Sequence, residues 1–135
     1  MKETWTWIQL SLSAIGGFIG WFLGGFDGLL YTLVAFVVVD YITGILRVIA
    51  DKKLSSKIGA HGITKKMMIF LLVGAAHLLD VEIIRNGNVL RDAVAFFYIS
   101  NEGISLLENA SKIGLPIPQK LTDILEQLHD KTEDK

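Results

Sequence analysis

Residues 8–26 carry no formal charge, Asp27 interrupts them, and residues 28–46 form a second apolar stretch whose one ionisable group is Asp40. A helix needs about 20 apolar residues to cross a hydrocarbon core ~30 Å thick. The pattern therefore predicts two spans, over about 5–26 and 28–46, joined as a hairpin. A third stretch, 67–84, is apolar until Asp80 and Glu82 and spans if those acids lie among the headgroups. A fourth, about 93–110, contains Ser100, Asn101 and Glu102, and is either a span with a polar face or a helix lying in the interface. Gly114, Pro116 and Pro118 stop it, after which Leu121, Ile124, Leu125 and Leu128 recur at helical spacing. The reading is an all-α integral membrane protein with three to four transmembrane helices. Its membrane domain is 1–110, followed over 111–135 by a short amphipathic helix and a charged tail. The first apolar stretch is longer than the ~7–15 residue core of a secretory signal and lacks a clear small-x-small site, so it reads as a retained span.

Composition agrees with lipid as the solvent. Half of the 135 residues are hydrophobic and the mean hydropathy is +0.46, too apolar for a water-soluble domain of this size. The net charge of −1 says little, but its distribution gives an orientation. Residues 47–66 hold Arg47, Lys52, Lys53, Lys57, Lys65 and Lys66 against the single acid Asp51. By the positive-inside rule this segment is a cytoplasmic loop, which puts the N-terminus inside and Asp27 outside. A spanning fourth helix returns the C-terminus to the cytoplasm. These cations also suit anionic headgroups, at ~1 kcal/mol each. Nucleic-acid binding is not expected, since the loop has neither a larger patch nor interleaved aromatics. Trp5, Trp7, Trp21, Tyr31 and Tyr41 lie near segment ends as interfacial anchors.

The sequence has no Cys, which removes disulfides, thiolate nucleophiles and Cys-based zinc sites. His61, His77 and His129 share no metal-ligand spacing. No HExxH, GxSxG, P-loop or dinucleotide pattern is present, so neither an enzyme nor a cofactor is indicated.

Four features bear on function. Gly16, Gly20, Gly24 and Gly28 recur every fourth residue, a small-xxx-small pattern that lets helix backbones approach in lipid. This stripe packs either on the second helix or on another subunit. Asp40, ~10 Å along the helix from Arg47, is either a polar lining residue or an interfacial acid paired with the loop lysines. His77 and Asp80 stand three residues apart, as either a local pair or part of a proton relay. In the fourth helix Tyr98, Asn101, Glu102, Ser105, Glu108, Asn109 and Lys112 share one side. Asp40, Asn101, Glu102, Ser105 and Glu108 are the candidate pore-lining or polar membrane residues. Several subunits with that side inward enclose a hydrated path, whereas a single copy lies on the membrane surface.

Asp40-Tyr41-Ile42-Thr43-Gly44, Leu54-Ser55-Ser56-Lys57-Ile58-Gly59 and Gly62-Ile63-Thr64-Lys65-Lys66 resemble the middle of the toxin-secretion and phage-lysis holin family of Gram-positive bacteria and their phages. The run from Phe97 to Asn109 and Gly114-Leu115-Pro116-Ile117-Pro118 is similar to that family's C-terminal signature. The resemblance implies a multi-pass protein of the bacterial cell membrane that forms homo-oligomers among the membrane lipids. It also implies non-specific lesions that release an endolysin or toxin, held at no defined binding site, so that the host cell lyses. Holins of this kind are often drawn with three spans, while the charge pattern also fits four. The competing class is a small ion or proton channel, or a transporter subunit, using Asp40, His77 and Glu102. A third is a non-conducting membrane scaffold.

Overall fold

The computed structural model describes residues 1–52 and 55–133, with no strand among them. Five α-helices follow in order: α1 (Lys2–Leu23), α2 (Gly28–Ala50), α3 (Ser56–Leu79), α4 (Val89–Ile113) and α5 (Gln119–Glu133). A π-helical turn, Asp80–Ile84, extends α3. Lengths and apolarity qualify three helices to cross a membrane: α1, α2, and α3 with its π turn.

The boundaries have local causes. Gly24, in the left-handed region at φ 87°, ends α1. Gly25 N–H then donates to Gly20 O at 2.7 Å and Gly24 N–H to Trp21 O at 3.3 Å, closing a Schellman turn. Asp27 caps α2 by accepting from Leu30 N–H at 2.9 Å. Ser55 does the same for α3 through Ile58 N–H. The helix it starts is where expectation and structure part: much of the basic segment is not a loop but the first turns of α3 and, at Arg47, the last turn of α2. Gly114 repeats the Schellman ending on α4.

α4 is the central element, packed by α2, α3 and α5. It accompanies α2 over the latter's length. Arg91 near its start meets Asp27 at the start of α2, and Asn109 near its end meets Thr43 and Arg47. The 18 residues from Arg91 to Asn109 rise ~27 Å. That is close to the hydrocarbon thickness, although α4 is too polar to qualify as a span by composition.

The buried stripes are layered. Leu30, Leu33 and Val37 from α2, Ile69 and Val73 from α3, and Ala95 and Ile99 from α4 form the apolar core, joined by Leu23. Each stripe continues into a polar residue: Asp40 on α2, Lys66 on α3, Glu102 on α4. The outward faces are apolar, with Phe18, Val38, Leu71 and Leu72 among many exposed large side chains, as lipid contact requires.

α1 differs from the other long helices. Only Gly20 and Leu23 are buried in it. It packs on α3, where the ring of Phe22 lies over Gly74, so close that a Cβ at that position would run into the ring. It does not pack against α2, so the expected tight hairpin is instead two helices held by their connecting turn and separated along their lengths. Trp5, Trp7, Trp21 and Tyr31 are exposed. Tyr41 is not one of them: it is half-buried and its hydroxyl donates to Gly59 O at 3.3 Å, joining α2 to α3.

Candidate functional site

Two polar clusters lie at opposite ends of the core. The first joins three helices. Lys66 Nζ is 2.7 Å from Asp40 Oδ2 and 2.7 Å from Glu102 Oε2, and both carboxylates are buried. Asn109 Nδ2 donates to Asp40 Oδ1 at 3.1 Å and to Thr43 Oγ1 at 3.2 Å, while Arg47 Nη1 donates to Asn109 Oδ1 at 3.3 Å. One ammonium thus ties α3 to α2 and α4, and an amide and a guanidinium extend the network. Such an arrangement makes two intramembrane acids tolerable, because each charge has a partner at contact distance. An open cleft of about 810 Å³ leads to it between α2, α3 and α4, lined by Asp40, Arg47, Lys65, Asn101, Glu102 and Ser105 among others.

This geometry sorts the expected residues. Asp40 takes the lysine-paired arrangement, yet its partner lies ten residues inside α3 rather than in a loop. Lys66, expected at the headgroups, is the pivot of the cluster and is largely buried. Glu102 belongs to the cluster, Asn101 and half-buried Ser105 line the cleft, and exposed Glu108 is outside its lining. Arg47 is half-buried against Asn109. Lys52, at φ 57°, occupies the turn after α2, and exposed Lys57 and Lys65 lie on the first half of α3. Lys53 falls outside the described residues.

The second cluster centres on Arg91, whose side chain is 1% exposed. Its Nε donates to Leu23 O at 2.7 Å and its Nη2 to Gly25 O at 3.0 Å. Its Nη1 and Nη2 grip Asp27 at 2.7 and 3.2 Å, and Nη1 also reaches Asp92 at 3.1 Å. All five guanidinium hydrogens are used. The guanidinium holds the Asp27 carboxyl below its ordinary pKa. On the other side Asp80 accepts from the backbone N–H of Leu90 and Arg91 at 3.0 and 2.8 Å, fixing the start of α4. In the sequence Asp27 stands out as a break on the outer side of the first two runs, and Arg91 does not stand out. The available signal was one acid between two apolar runs and one arginine at the head of the fourth helix.

This placement also corrects the pair expected of His77 and Asp80. The carboxylate is used by α4, while His77 Nδ1 is buried beside Gly24 with no hydrogen-bond partner among the described residues. His77 therefore sits at the Arg91 end, remote along the helices from Asp40 and Glu102, and the three do not form one path.

The glycines do not make a continuous stripe on one helix, because α1 ends at Leu23. Gly24 is the turn residue facing His77 and Arg91, and Gly28 is the first residue of α2. Gly20 meets the Phe26 ring. Gly16, with its neighbour Gly17, has open space around it.

Long apolar helices around buried, ion-paired side chains define a multi-pass helical membrane protein. The bacteriophage holin family matches residues 17–130, and the chain belongs to it. It is 38% identical over 98 residues to a probable holin of Bacillus phage phi105, covering 73% of this chain and 72% of that one. An uncharacterized 14.9 kDa protein of the nagH 3' region in Clostridium perfringens is 40% identical over 132 residues, covering 97% and 99% of the two chains. An uncharacterized protein of Listeria monocytogenes is 39% identical, with 94% and 97% covered. No solved structure matches. The chain is thus a non-enzymatic protein of the cell membrane.

Proposed function

We propose that the chain accumulates in the bacterial cytoplasmic membrane, self-associates, and opens non-specific lesions through which an endolysin or toxin leaves the cell. Membership of the holin family is the observation that carries this reading. The shape of the subunit supports the self-association step. α1 stands apart from α2, so its open strip at Gly16 and Gly17 is free to receive a helix of another copy. The cleft beside Asp40, Asn101, Glu102 and Ser105 supplies polar surface that water can wet once subunits surround it.

The test is expression in bacteria with time-resolved membrane potential and release of a cytoplasmic enzyme. Abrupt depolarisation with enzyme release is expected. Proton leakage with retention of dyes and proteins would replace this reading by a narrow channel, and neither leakage nor lysis would leave a scaffold. Gly16→Leu, at a position where a Cβ has no neighbour from another element within 4 Å, is expected to delay or abolish lysis. Unchanged oligomers and timing would remove the glycine strip from the mechanism.

A further inference from the structure

α5 lies in a place that its composition makes hard to reconcile with a single subunit in lipid. After the turn at Gly114 it runs back along α4: Leu125 is buried against Gly103, and further on His129 approaches Ser100 and Phe97. Gly103 also faces Phe36 of α2, since a Cβ there would meet Leu125 at 2.9 Å and Phe36 at 3.1 Å. Phe36 stands nine residues from Asp27 and eleven from Arg47, ~14 and ~17 Å along the helix. Leu125 is therefore level with the middle of α2, the most apolar of the candidate spans.

The opposite side of α5 is charged. Lys120, Asp123, Glu126, Asp130 and Lys131 are exposed, and the described residues contain no salt bridge for any of them. At mid-depth, charges are strongly disfavoured against hydrocarbon and require water or a polar cavity. The polar side of α4 does not require it to the same degree, since Glu102 and Asn109 are satisfied inside the subunit by Lys66, Asp40 and Arg47. The surface that most needs water at membrane depth is thus the outer face of α5.

We infer that α5 stays folded against α4 within the membrane thickness and that its charged face forms the water-facing wall of the assembled lesion. This rests on the hole-forming function proposed above and names the residues that would line the hole. Asp40 and Glu102 then hold the subunit together behind that wall. Leu121 and Ile124, exposed on the flank of α5, lie where one wall element meets its neighbour or lipid.

The absence of cysteine makes the test direct. The full chain is reconstituted in liposomes of bacterial phospholipid, with spin labels on Phe96→Cys plus Asp130→Cys for distance, and singly on Glu126→Cys or Val39→Cys for accessibility. On assembly, the distance is expected to stay short and narrowly distributed. The Glu126 label is expected to meet a water-soluble nickel chelate several-fold more often than the outward-facing Val39 label, which meets oxygen dissolved in lipid. A long or broad distance in the assembled state would overturn the inference by showing that α5 leaves. A short distance with the Glu126 label in the oxygen-rich phase would overturn it by placing the charged face in lipid. Release of an enclosed enzyme is followed in the same vesicles. Its absence would count against the hole-forming function, while the placement of α5 stands or falls on the labels.

Discussion

Arg91→Met is the substitution whose effect the geometry constrains most closely. The guanidinium makes two bonds to backbone carbonyls, at Leu23 and Gly25, and a two-point contact with Asp27. A hydrogen bond from a charged donor contributes about 1.5–3 kcal/mol. The carbonyl pair therefore carries most of the effect, since no other side chain among the described residues donates to these two groups in the turn. The ion pair contributes less. The Asp27 side chain is 51% exposed and can rehydrate, which limits that pair to about 1 kcal/mol. Arg91→Met should then destabilise the folded subunit by about 4 kcal/mol. Asp27→Asn should cost only about 1 kcal/mol, because Asn still accepts from Leu30 N–H as the cap of α2.

The measurement is unfolding of the full chain in mixed micelles, titrated with a denaturing detergent and followed by far-ultraviolet circular dichroism. Arg91→Lys should fall between the other two variants, since an ammonium cannot hold a carboxylate and two carbonyls in one planar fork. The double variant Arg91→Met/Asp27→Asn should show a coupling of about 1 kcal/mol. If Asp27→Asn proves as costly as Arg91→Met, the ion pair rather than the closure of the α1 terminus holds the turn, and the reasoning fails.

Lys66→Met leaves Asp40 and Glu102 facing each other without their cation, and should destabilise by about 3–5 kcal/mol in the same titration. Adding Asp40→Asn and Glu102→Gln should recover most of that loss, and a single variant within about 1 kcal/mol of the parent would refute the pivot role. Gly74→Ala drives a methyl into the Phe22 ring. It should cost about 1–3 kcal/mol and loosen α1 from α3, with Phe22→Ala restoring stability but not the original contact. The pH dependence follows from Asp27, whose pKa is lowered by Arg91. Its contribution is complete above the ordinary carboxylate pKa of about 3.9 and is lost as pH falls through the lower folded value. Acid should therefore loosen the turn between α1 and α2 in the parent and not in Asp27→Asn, read as accessibility of a label at Phe26→Cys.

What the sequence made legible depended on how far apart partners lie along the chain. The apolar runs of α1 and α2 are properties of contiguous residues, so both helices and the Asp27 break could be read directly. The start of α3 is hidden, because a charge count over 47–66 treats the cations as a group. That count gives an orientation but does not say which cation turns inward. A finer signal was present: Lys66, Ile69, Val73 and Ala76 follow the same 3, 4, 3 spacing as Leu30, Leu33, Val37 and Asp40. A polar residue in register with an apolar stripe is carried into the core, where it must find an opposite charge. Arg91, Ala95, Ile99 and Glu102 fit that rule on α4, with a polar residue at each end. The pairing itself could not be read, since Lys66 and Glu102 are 36 residues apart and Arg91 and Asp27 are 64 apart.

The same rule accounts for the helix it leaves out. α1 has no charged residue in register with a buried stripe, and only Gly20 and Leu23 at its end enter the subunit's interior. Its attachment is made by backbone: two carbonyls held by Arg91, and the bare backbone of Gly74 beneath Phe22. Such contacts fix one end and leave the rest of the helix without partners from its own chain. In lipid, apolarity alone does not bring it back to α2, because a lipid tail is as good a neighbour as a leucine. The first apolar run of the chain is therefore the helix least committed within the subunit, and under the self-association proposed above it can engage another copy while the charged core stays intact.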